Sequence, residues 1–239
     1  IIGGGGCGKT TIMQGVIAPT LETFFHKIVF TAPPHRITRG FDPRSQTMHS
    51  IVFMRPQNSM RPSTLEIKSD ALRKRMDANQ TNAGAWIHDD ALQTAAPLLH
   101  AGALRTTHAR QHTYNLDAAR YAEPAQIFGK ISFFAMCGDH LQLPPVPKTS
   151  GLLAPLGGTS DEHKVGASIL THMHYVYEMF TMKLFTDPVL VAVLEKMRQT
   201  GGAKLTEPEW KALRDAEIDT DAVERDPETF LRETSGWLE

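Results

Sequence analysis

The chain of 239 residues is long enough for one large α/β domain, or for one domain with part of another. Its content of 41% hydrophobic and 21% charged residues excludes a wholly disordered, collagen-like or coiled-coil chain. The longest aliphatic run, Val189 to Leu194, is far shorter than a membrane span requires, so we expect no integral membrane protein.

The charge is distributed unevenly along the chain. Residues 1–150 contain 16 Lys and Arg against 10 Asp and Glu, whereas residues 151–239 contain 9 against 16. The basic first part either suits a polyanionic partner such as nucleic acid or forms an ordinary solvated face. Cys7 and Cys137 provide neither a disulfide framework nor a zinc-binding spacing, which favours a reducing, intracellular compartment.

The first third of the chain predicts a strand, a glycine-rich loop and a helix, followed by a second strand. Ile1 and Ile2 are predicted to end a strand, and the helix begins at Lys9. The apolar run Lys27–Ala32 predicts a buried strand. Between His35 and about Asn82 we expect loops and a helix over Ser69–Asp77.

The rest of the chain continues the alternation. In chain order we predict a strand over Ala85–His88, a helix over Ala91–Arg105, a strand over Ile131–Cys137, a candidate strand over Tyr175–Phe185, and helices over Pro188–Met197 and Glu207–Ala216. The two central strands end in acidic or glycine-containing turns. This pattern predicts an α/β fold with a parallel sheet flanked by helices and with its working residues at the carboxyl edge.

The glycine-rich loop carries the clearest chemical motif of the sequence. Gly3, Gly8, Lys9 and Thr10 fit the phosphate-loop pattern of a glycine, four residues and then Gly-Lys-Thr. Backbone N–H groups of such a loop converge on phosphate oxygens, the lysine adds a positive charge, and the threonine hydroxyl ligates Mg²⁺. A chance glycine-rich turn is the alternative, but the flanking strand and helix favour a phosphate loop. The predicted nucleotide-binding residues are Gly3, Gly4, Gly5, Gly6, Cys7, Gly8, Lys9, Thr10 and Thr11.

The pair Asp89-Asp90 fits the second acidic site that a phosphate loop needs. It follows the strand that ends at His88. We predict that Asp89 holds the Mg²⁺ shell through water and that Asp90 orients or polarises the attacking water. A solvated acidic turn is the alternative interpretation. His88 is interpreted as a core histidine with satisfied hydrogen bonds rather than a catalytic one.

A third motif, Gly138-Asp139-His140-Leu141-Gln142-Leu143-Pro144-Pro145-Val146, follows the strand Ile131–Cys137. The two prolines stop a continuing helix and stiffen the exit, which would hold Gln142 toward a neighbouring phosphate loop. A glutamine offers both a donor and an acceptor, so it suits either a γ-phosphate or an attacking water.

Together these motifs resemble those of superfamily-one DNA helicases, and most of all the PIF-one-like and RecD-like branch that includes the helicases of Helitron transposons. The resemblance covers roughly residues 1–215 and adds Thr47-Met48-His49-Ser50, Phe128-Gly129 and Met197-Arg198-Gln199 to the motifs above. It implies a RecA-like motor domain over residues 1–200, leading into an acidic helical segment over 201–239. It also implies ATP and Mg²⁺ as cofactors, single-stranded DNA and DNA forks as partners, and 5′ to 3′ translocation.

The resemblance also assigns roles to individual residues. Gln142 would sense the γ-phosphate, and Arg198 would complete the ATP site when two motor domains close, a role suited to the guanidinium fork. A surface arginine after a helix is the alternative for Arg198. The residues that match family segments near the DNA strand are His35, Arg36, Thr47 and His49. A nuclear location is expected from the resemblance, with the mitochondrion as the alternative.

Two residues depart from the pattern of this family. Asp90 stands where the family usually has glutamate, which makes hydrolysis less secure than binding. His35 replaces the glycine of an Ala-Pro-Thr-Gly-Lys-like segment, which weakens the expectation of close backbone approach to DNA there.

The chain also lacks several expected segments. It opens at Ile1 with two apolar residues before the glycines, and nothing after Arg198 resembles the later helicase motifs. We therefore expect an internal fragment without the second motor lobe. Two functions stay open from the sequence: a helicase fragment, or a degenerate remnant that binds nucleotide without turnover. The string Gly138–Val146 argues against a kinase, and the absence of Asn-Lys-x-Asp argues against a GTPase.

Overall fold

The computed structural model describes residues 1–32, 40, 42–54, 69–80, 82–117, 120–123, 126–143, 145, 150–155, 160–198 and 204–215. The chain divides into two compact units, Ile1–Leu184 and Phe185–Glu239. None of the helices within the described residues is both long enough and apolar enough to cross a membrane.

A parallel sheet organises the first unit. Its strands are β1 (Ile2–Gly3), β2 (Lys27–Ala32), β3 (Gln46–Thr47), β4 (Ala83–His88), β5 (Phe133–Met136) and β6 (Glu178–Met179). Four strands are hydrogen-bonded in the order β3-β2-β4-β5, and β1 pairs with β6. Ile2 also bridges to Gly138 just beyond β5, so the strand order across the sheet is β3-β2-β4-β5-β1-β6.

Helices connect these strands. They are α1 (Lys9–Ile12), continued by a π-helical segment (Met13–Ile17) and α2 (Ala18–Glu22); α3 (Met48–Ile51); α4 (Asp70–Gln80); a 3₁₀ turn (Ala91–Gln93); α5 (Ala96–Tyr114); α6 (Ile127–Lys130); α7 (Asp161–Ser168); and a 3₁₀ turn (Ile169–His172). The short α6 has left-handed backbone at its last three residues, with φ of 50°, 67° and 62°.

Buried residues cover both faces of the sheet. Trp86 and Val29 point to one face and pack with Leu99 of α5. Ile28 and Ile87 belong to the other face, with Met13 from the first helical stretch. This alternation follows from the two-residue period of a strand, and burial of such side chains contributes about 1.5–3 kcal/mol each. Helices on both faces are the arrangement that a parallel sheet requires.

The second unit contains two described helices, α8 (Pro188–Arg198) and α9 (Glu207–Asp215). At the start of α9, the amide and the hydroxyl of Thr206 both donate to Glu209 Oε2, at 2.6 and 2.7 Å. Lys196 of α8 forms an ion pair with the same carboxylate at 2.6 Å. Hydrogen bonds from Lys196 and Thr206 therefore lower the pKa of Glu209 to about 2.

The fold confirms the predicted α/β class and most predicted elements, and it corrects three. The helix predicted from Ala91 begins only at Ala96, because Asp90 is left-handed and a 3₁₀ turn follows it. Within Tyr175–Phe185 only Glu178–Met179 forms a strand. The short elements β3 and α3, over Gln46–Ile51, lie in a region predicted to be loops. The compact units divide after Leu184, whereas the predicted boundary at residue 200 stays a prediction.

Candidate nucleotide site

The predicted phosphate loop connects β1 to α1 at the carboxyl edge of the sheet. Gly8 has φ of 84°, a left-handed conformation that glycine adopts without strain, and its carbonyl accepts the first helical bond from the Ile12 amide. The Gly6 carbonyl accepts from the amides of Lys183 and Leu184, at 2.9 and 3.1 Å. The loop is therefore held at its centre as well as at both ends. Gly3, Gly4 and Cys7 are buried, whereas Gly5 and Thr11 are exposed.

Lys9 folds its side chain back over the loop. Its ammonium nitrogen donates to the carbonyls of Gly3 and Gly4, at 2.8 and 2.7 Å, and the residue is only 7% exposed. A buried charge is costly unless it is hydrogen-bonded, and these carbonyls supply that compensation. The positive charge is therefore held inside the loop that would surround a phosphate.

Thr10 and Asp89 meet across the sheet edge. The Thr10 hydroxyl donates to Asp89 Oδ2 at 3.2 Å. The other carboxylate oxygen of Asp89 accepts from the Asp90 amide at 3.0 Å and from the thiol of Cys137. Burial, followed by the charge of Asp89, raises the pKa of Cys137, so the thiol stays a donor. A hydroxyl and a carboxylate are the hard oxygen ligands that Mg²⁺ prefers, so the donor set fits this metal.

Asp90, the second residue of the turn after β4, has a strained backbone conformation. Its φ of 47° is uncommon for a residue other than glycine, and such strain is often found at functional sites. Burial, followed by the charge of Asp89, raises the pKa of Asp90, while Lys9 lowers it. The carboxyl group is half-buried, so it combines access to solvent with a raised proton affinity.

His88 belongs to a buried network behind the two aspartates. Its Nδ1 lies 2.9 Å from the Thr31 hydroxyl and its Nε2 lies 2.8 Å from the Thr94 hydroxyl. Trp86 Nε1 donates to the same Thr31 hydroxyl at 2.7 Å. Complete burial lowers the pKa of His88 to about 4, so the ring is neutral at physiological pH. The interpretation of His88 as a satisfied core histidine is confirmed.

Gln142 has a partner that the sequence analysis missed. Gln93, the last residue of the 3₁₀ turn after Asp90, donates from Nε2 to Gln142 Oε1 at 2.7 Å. The loop that carries Gln142 is shaped by Asp139, whose carboxylate accepts from the Leu141 amide and whose carbonyl accepts from the Gln142 amide. The only signal in the sequence for Gln93 is a polar residue three positions after Asp90.

The remaining predicted site residues lie in segments of the chain other than the phosphate loop and the acidic turn. The Thr47 side chain is buried and accepts from the Ser50 amide at 3.2 Å, so it caps α3. His49, in α3, is half-buried. Arg198 ends α8 in the second unit. His35 and Arg36 lie outside the described residues. The structure thus brings Lys9, Thr10, Asp89 and Asp90 together, and their roles remain predictions.

The strand order, the loop between β1 and α1 and the acidic turn after β4 define a RecA-like phosphate-loop fold. Solved helicase structures share this fold. The chain is similar to Bacteroides Pif1 bound to single-stranded DNA, with 19% identity and a TM-score of 0.58 over 90% of this chain and 45% of that one. A Bacteroides Pif1 helicase in complex with ADP-AlF3 and single-stranded DNA gives 19% identity and a TM-score of 0.60, over 91% and 45%. Pif1 helicase from Candida albicans gives 18% and 0.55, over 85% and 41%.

The chain therefore spans less than half the length of these helicases. No protein-family model matches the sequence, and a comparison with curated proteins finds no match.

Proposed function

We propose that the chain is the first RecA-like lobe of a PIF-one-like DNA helicase and that it binds Mg²⁺-ATP at the phosphate loop. The observation that carries this proposal is the contact between Thr10 and Asp89, 3.2 Å apart, beside a buried Lys9. Motifs 79 residues apart in sequence thus supply a cation and a metal-binding oxygen pair at one sheet edge. The fold shared with Pif1 helicases adds to this support.

Different residues of the site bind the phosphates, the metal ion and the attacking water. The loop amides and Lys9 bind phosphate oxygens, and Lys9 exchanges its bonds with the Gly3 and Gly4 carbonyls for a bond to phosphate. Thr10 and Asp89 hold Mg²⁺, which neutralises phosphate charge when bound. Asp90 orients the attacking water and receives its proton, for which its raised pKa is suited.

In the whole protein, ATP hydrolysis would drive translocation along single-stranded DNA from 5′ to 3′ and the unwinding of forks. The Pif1 structures bound to single-stranded DNA and the excess of basic residues before residue 150 support DNA as the partner. We propose an intracellular location, in the nucleus or the mitochondrion. The proposed biological role is in DNA repair, recombination, telomere maintenance or transposition.

A second candidate function is nucleotide binding without turnover by a degenerate remnant. Asp90 favours it, because its carboxylate is one methylene shorter than the glutamate of the resembling family. A misplacement of about 1 Å in a reacting group can cost on the order of a hundred-fold in rate. The two candidate functions share nucleotide binding. They differ in whether bound ATP is hydrolysed and phosphate is released.

Titration with a fluorescent ATP analogue in the presence of Mg²⁺ tests the shared step. Lys9→Ala should weaken binding by roughly 1.5–3 kcal/mol, because it removes a charge-assisted phosphate contact. Lys164→Ala, which removes an exposed lysine from α7, is the matched control and should bind like the wild type. Equal affinity of Lys9→Ala and wild type, with both proteins folded, would overturn the assignment.

A further inference from the structure

The hydrogen bond between Gln93 and Gln142 connects the acidic turn to the loop of the third motif. Gln93 Nε2 donates to Gln142 Oε1 at 2.7 Å, across 49 residues of sequence. Both side chains are partly buried. The two ends of this bond therefore belong to the elements that carry Asp90 and the predicted γ-phosphate sensor.

The backbone holds these two elements in a fixed relation. The Ala91 amide donates to the Cys137 carbonyl at 2.7 Å. Leu92 lies against Gly138 so closely that a Cβ at this glycine would be 2.9 Å from Leu92 Cγ. The two residues before Gln93 thus contact the residues just after β5, and this contact places Gln93 beside Gln142.

The direction of the bond shows which groups of Gln142 are already used. A carboxamide has an oxygen with two acceptor sites and an NH₂ group with two donors. Because Oε1 of Gln142 accepts from Gln93, one acceptor site is used, whereas this bond leaves both donors of the NH₂ group for another partner. A donor pair suits the anionic oxygen of a phosphate, whereas an attacking water must give up a proton to an acceptor.

We infer that Gln93 is a positioning residue that orients the carboxamide of Gln142 so that its NH₂ group donates to the γ-phosphate. The inference rests on the proposed function and deepens it, because it selects the γ-phosphate over the attacking water as the partner of Gln142. Gln93 itself touches Gln142, and its effect on nucleotide passes through that side chain.

The test compares affinities for ADP and for the β,γ-imido analogue of ATP. The ratio of the two affinities isolates contacts to the γ-phosphate, which a residue with only a packing role does not change. Gln142→Ala should lower the preference for the triphosphate by about ten-fold or more. Gln93→Met should lower it by roughly three- to ten-fold without weakening ADP, because Gln142 loses its orientation.

Gln93→Glu gives a sharper result than Gln93→Met. A carboxylate accepts from the NH₂ group of Gln142 and turns Oε1 outward, so the triphosphate preference should fall further. Both changes at position 93 are repeated in Gln142→Ala, where the effect of Gln93→Met should vanish and that of Gln93→Glu should shrink to its charge alone. Gln46→Met, at an exposed position in β3, is the control.

Each outcome has one meaning. Equal weakening of ADP and triphosphate by Gln93→Met, or an unchanged preference, would overturn the inference while nucleotide binding stands. Absence of Lys9-dependent binding in the wild type would overturn the proposed function and the inference with it. If Gln93→Met does not fold, Gln93→Asn, which is one methylene too short to reach Gln142, replaces it.

Discussion

The hydroxyl of Thr10 donates to Asp89 Oδ2, while the amide of Asp90 donates to Asp89 Oδ1. Both oxygens of the carboxylate are therefore engaged, and the side chain is fixed in one orientation by the first helix and by its own turn. The contact joins the two residues that separate sequence motifs predict to hold Mg²⁺.

Thr10→Ala should remove the part of ATP affinity that depends on Mg²⁺, whereas Thr10→Ser should keep most of it because the hydroxyl remains. We expect a loss of about ten-fold in Mg²⁺-containing buffer, in line with the cost of disturbing a metal site. Nucleotide titrations with Mg²⁺ and with EDTA measure the difference. A Thr10→Ala protein that responds to Mg²⁺ like the wild type would show that Thr10 is not a ligand.

Asp90→Glu should raise ATP turnover, because the longer side chain returns the carboxylate to the position that the resembling family uses. Asp90→Asn should abolish the remaining rate, since an amide cannot accept the proton. Because the pKa of Asp90 is raised, the wild-type rate should fall as the pH decreases through that raised value. Phosphate release at saturating ATP and single-stranded DNA is the measurement. A wild type faster than Asp90→Glu would mean that the site has adapted to aspartate.

His88 should make stability depend on pH between about 6.5 and 4. The unfolded imidazole binds a proton below about 6.5, whereas the folded one, with a pKa of about 4, resists it. The contribution of neutral His88 to the free energy of unfolding is therefore complete above about pH 6.5. It decreases as the pH falls to about 4, by about 3 kcal/mol in total.

Urea unfolding at several pH values measures this effect of His88. In His88→Gln the slope of stability against pH in this range should flatten, whatever the change in absolute stability. His174→Gln, which replaces an exposed imidazole, serves as the control. The same slope in His88→Gln and wild type would contradict the prediction.

Lys130→Gly should stabilise the first unit by roughly 1 kcal/mol. Lys130 is exposed and has φ of 62°, a conformation that costs a side-chain-bearing residue about 1–2 kcal/mol, partly offset by the greater freedom of glycine when unfolded. Lys130→Ala keeps the strain and removes only the charged chain, so it should not stabilise. Thermal unfolding of the three proteins is the test, and equal melting temperatures for glycine and alanine would be the contrary result.

The purified chain of 239 residues should not unwind a forked duplex, even with ATP. Unwinding requires two lobes whose closure on ATP changes their grip on the strand, and the described residues contain one RecA-like sheet. Any binding to single-stranded DNA should weaken steeply with salt, because it arises from phosphate neutralisation. A strand-displacement assay decides the matter. ATP-dependent unwinding that disappears in Lys9→Ala would refute the prediction.

Strands with strong apolar runs could be predicted from the sequence, and weakly paired ones could not. Lys27–Ala32 is buried along most of its length, and its bounds match the prediction. The segment Tyr175–Phe185 is also apolar, but Tyr175, Tyr177 and Phe180 are exposed, and only two residues pair with β1. Composition alone does not distinguish an apolar segment that pairs from one that faces solvent.

The candidate site shows the same limit at the level of single residues. Lys9, Thr10 and Asp89 are predictable because their spacing and their place after strands are set by local chemistry. The bond from Gln93 to Gln142 depends on how closely the turn after β4 approaches the end of β5, which no local pattern records. Thr94, which completes the network of His88, lies only six residues from it, and the 3₁₀ turn that brings the two side chains together was not predicted.

The position of β1 links the phosphate loop to the order in which the polypeptide is made. Gly3 pairs with Met179 on one side, and its amide bonds to the Gly138 carbonyl on the other. The ribosome must therefore synthesise more than 170 further residues before this strand has both neighbours, and such distant pairings form slowly. Nucleotide binding by a nascent chain would thus show that β1 has paired with both of its neighbours. Bound nucleotide would in turn favour this fully paired sheet by mass action.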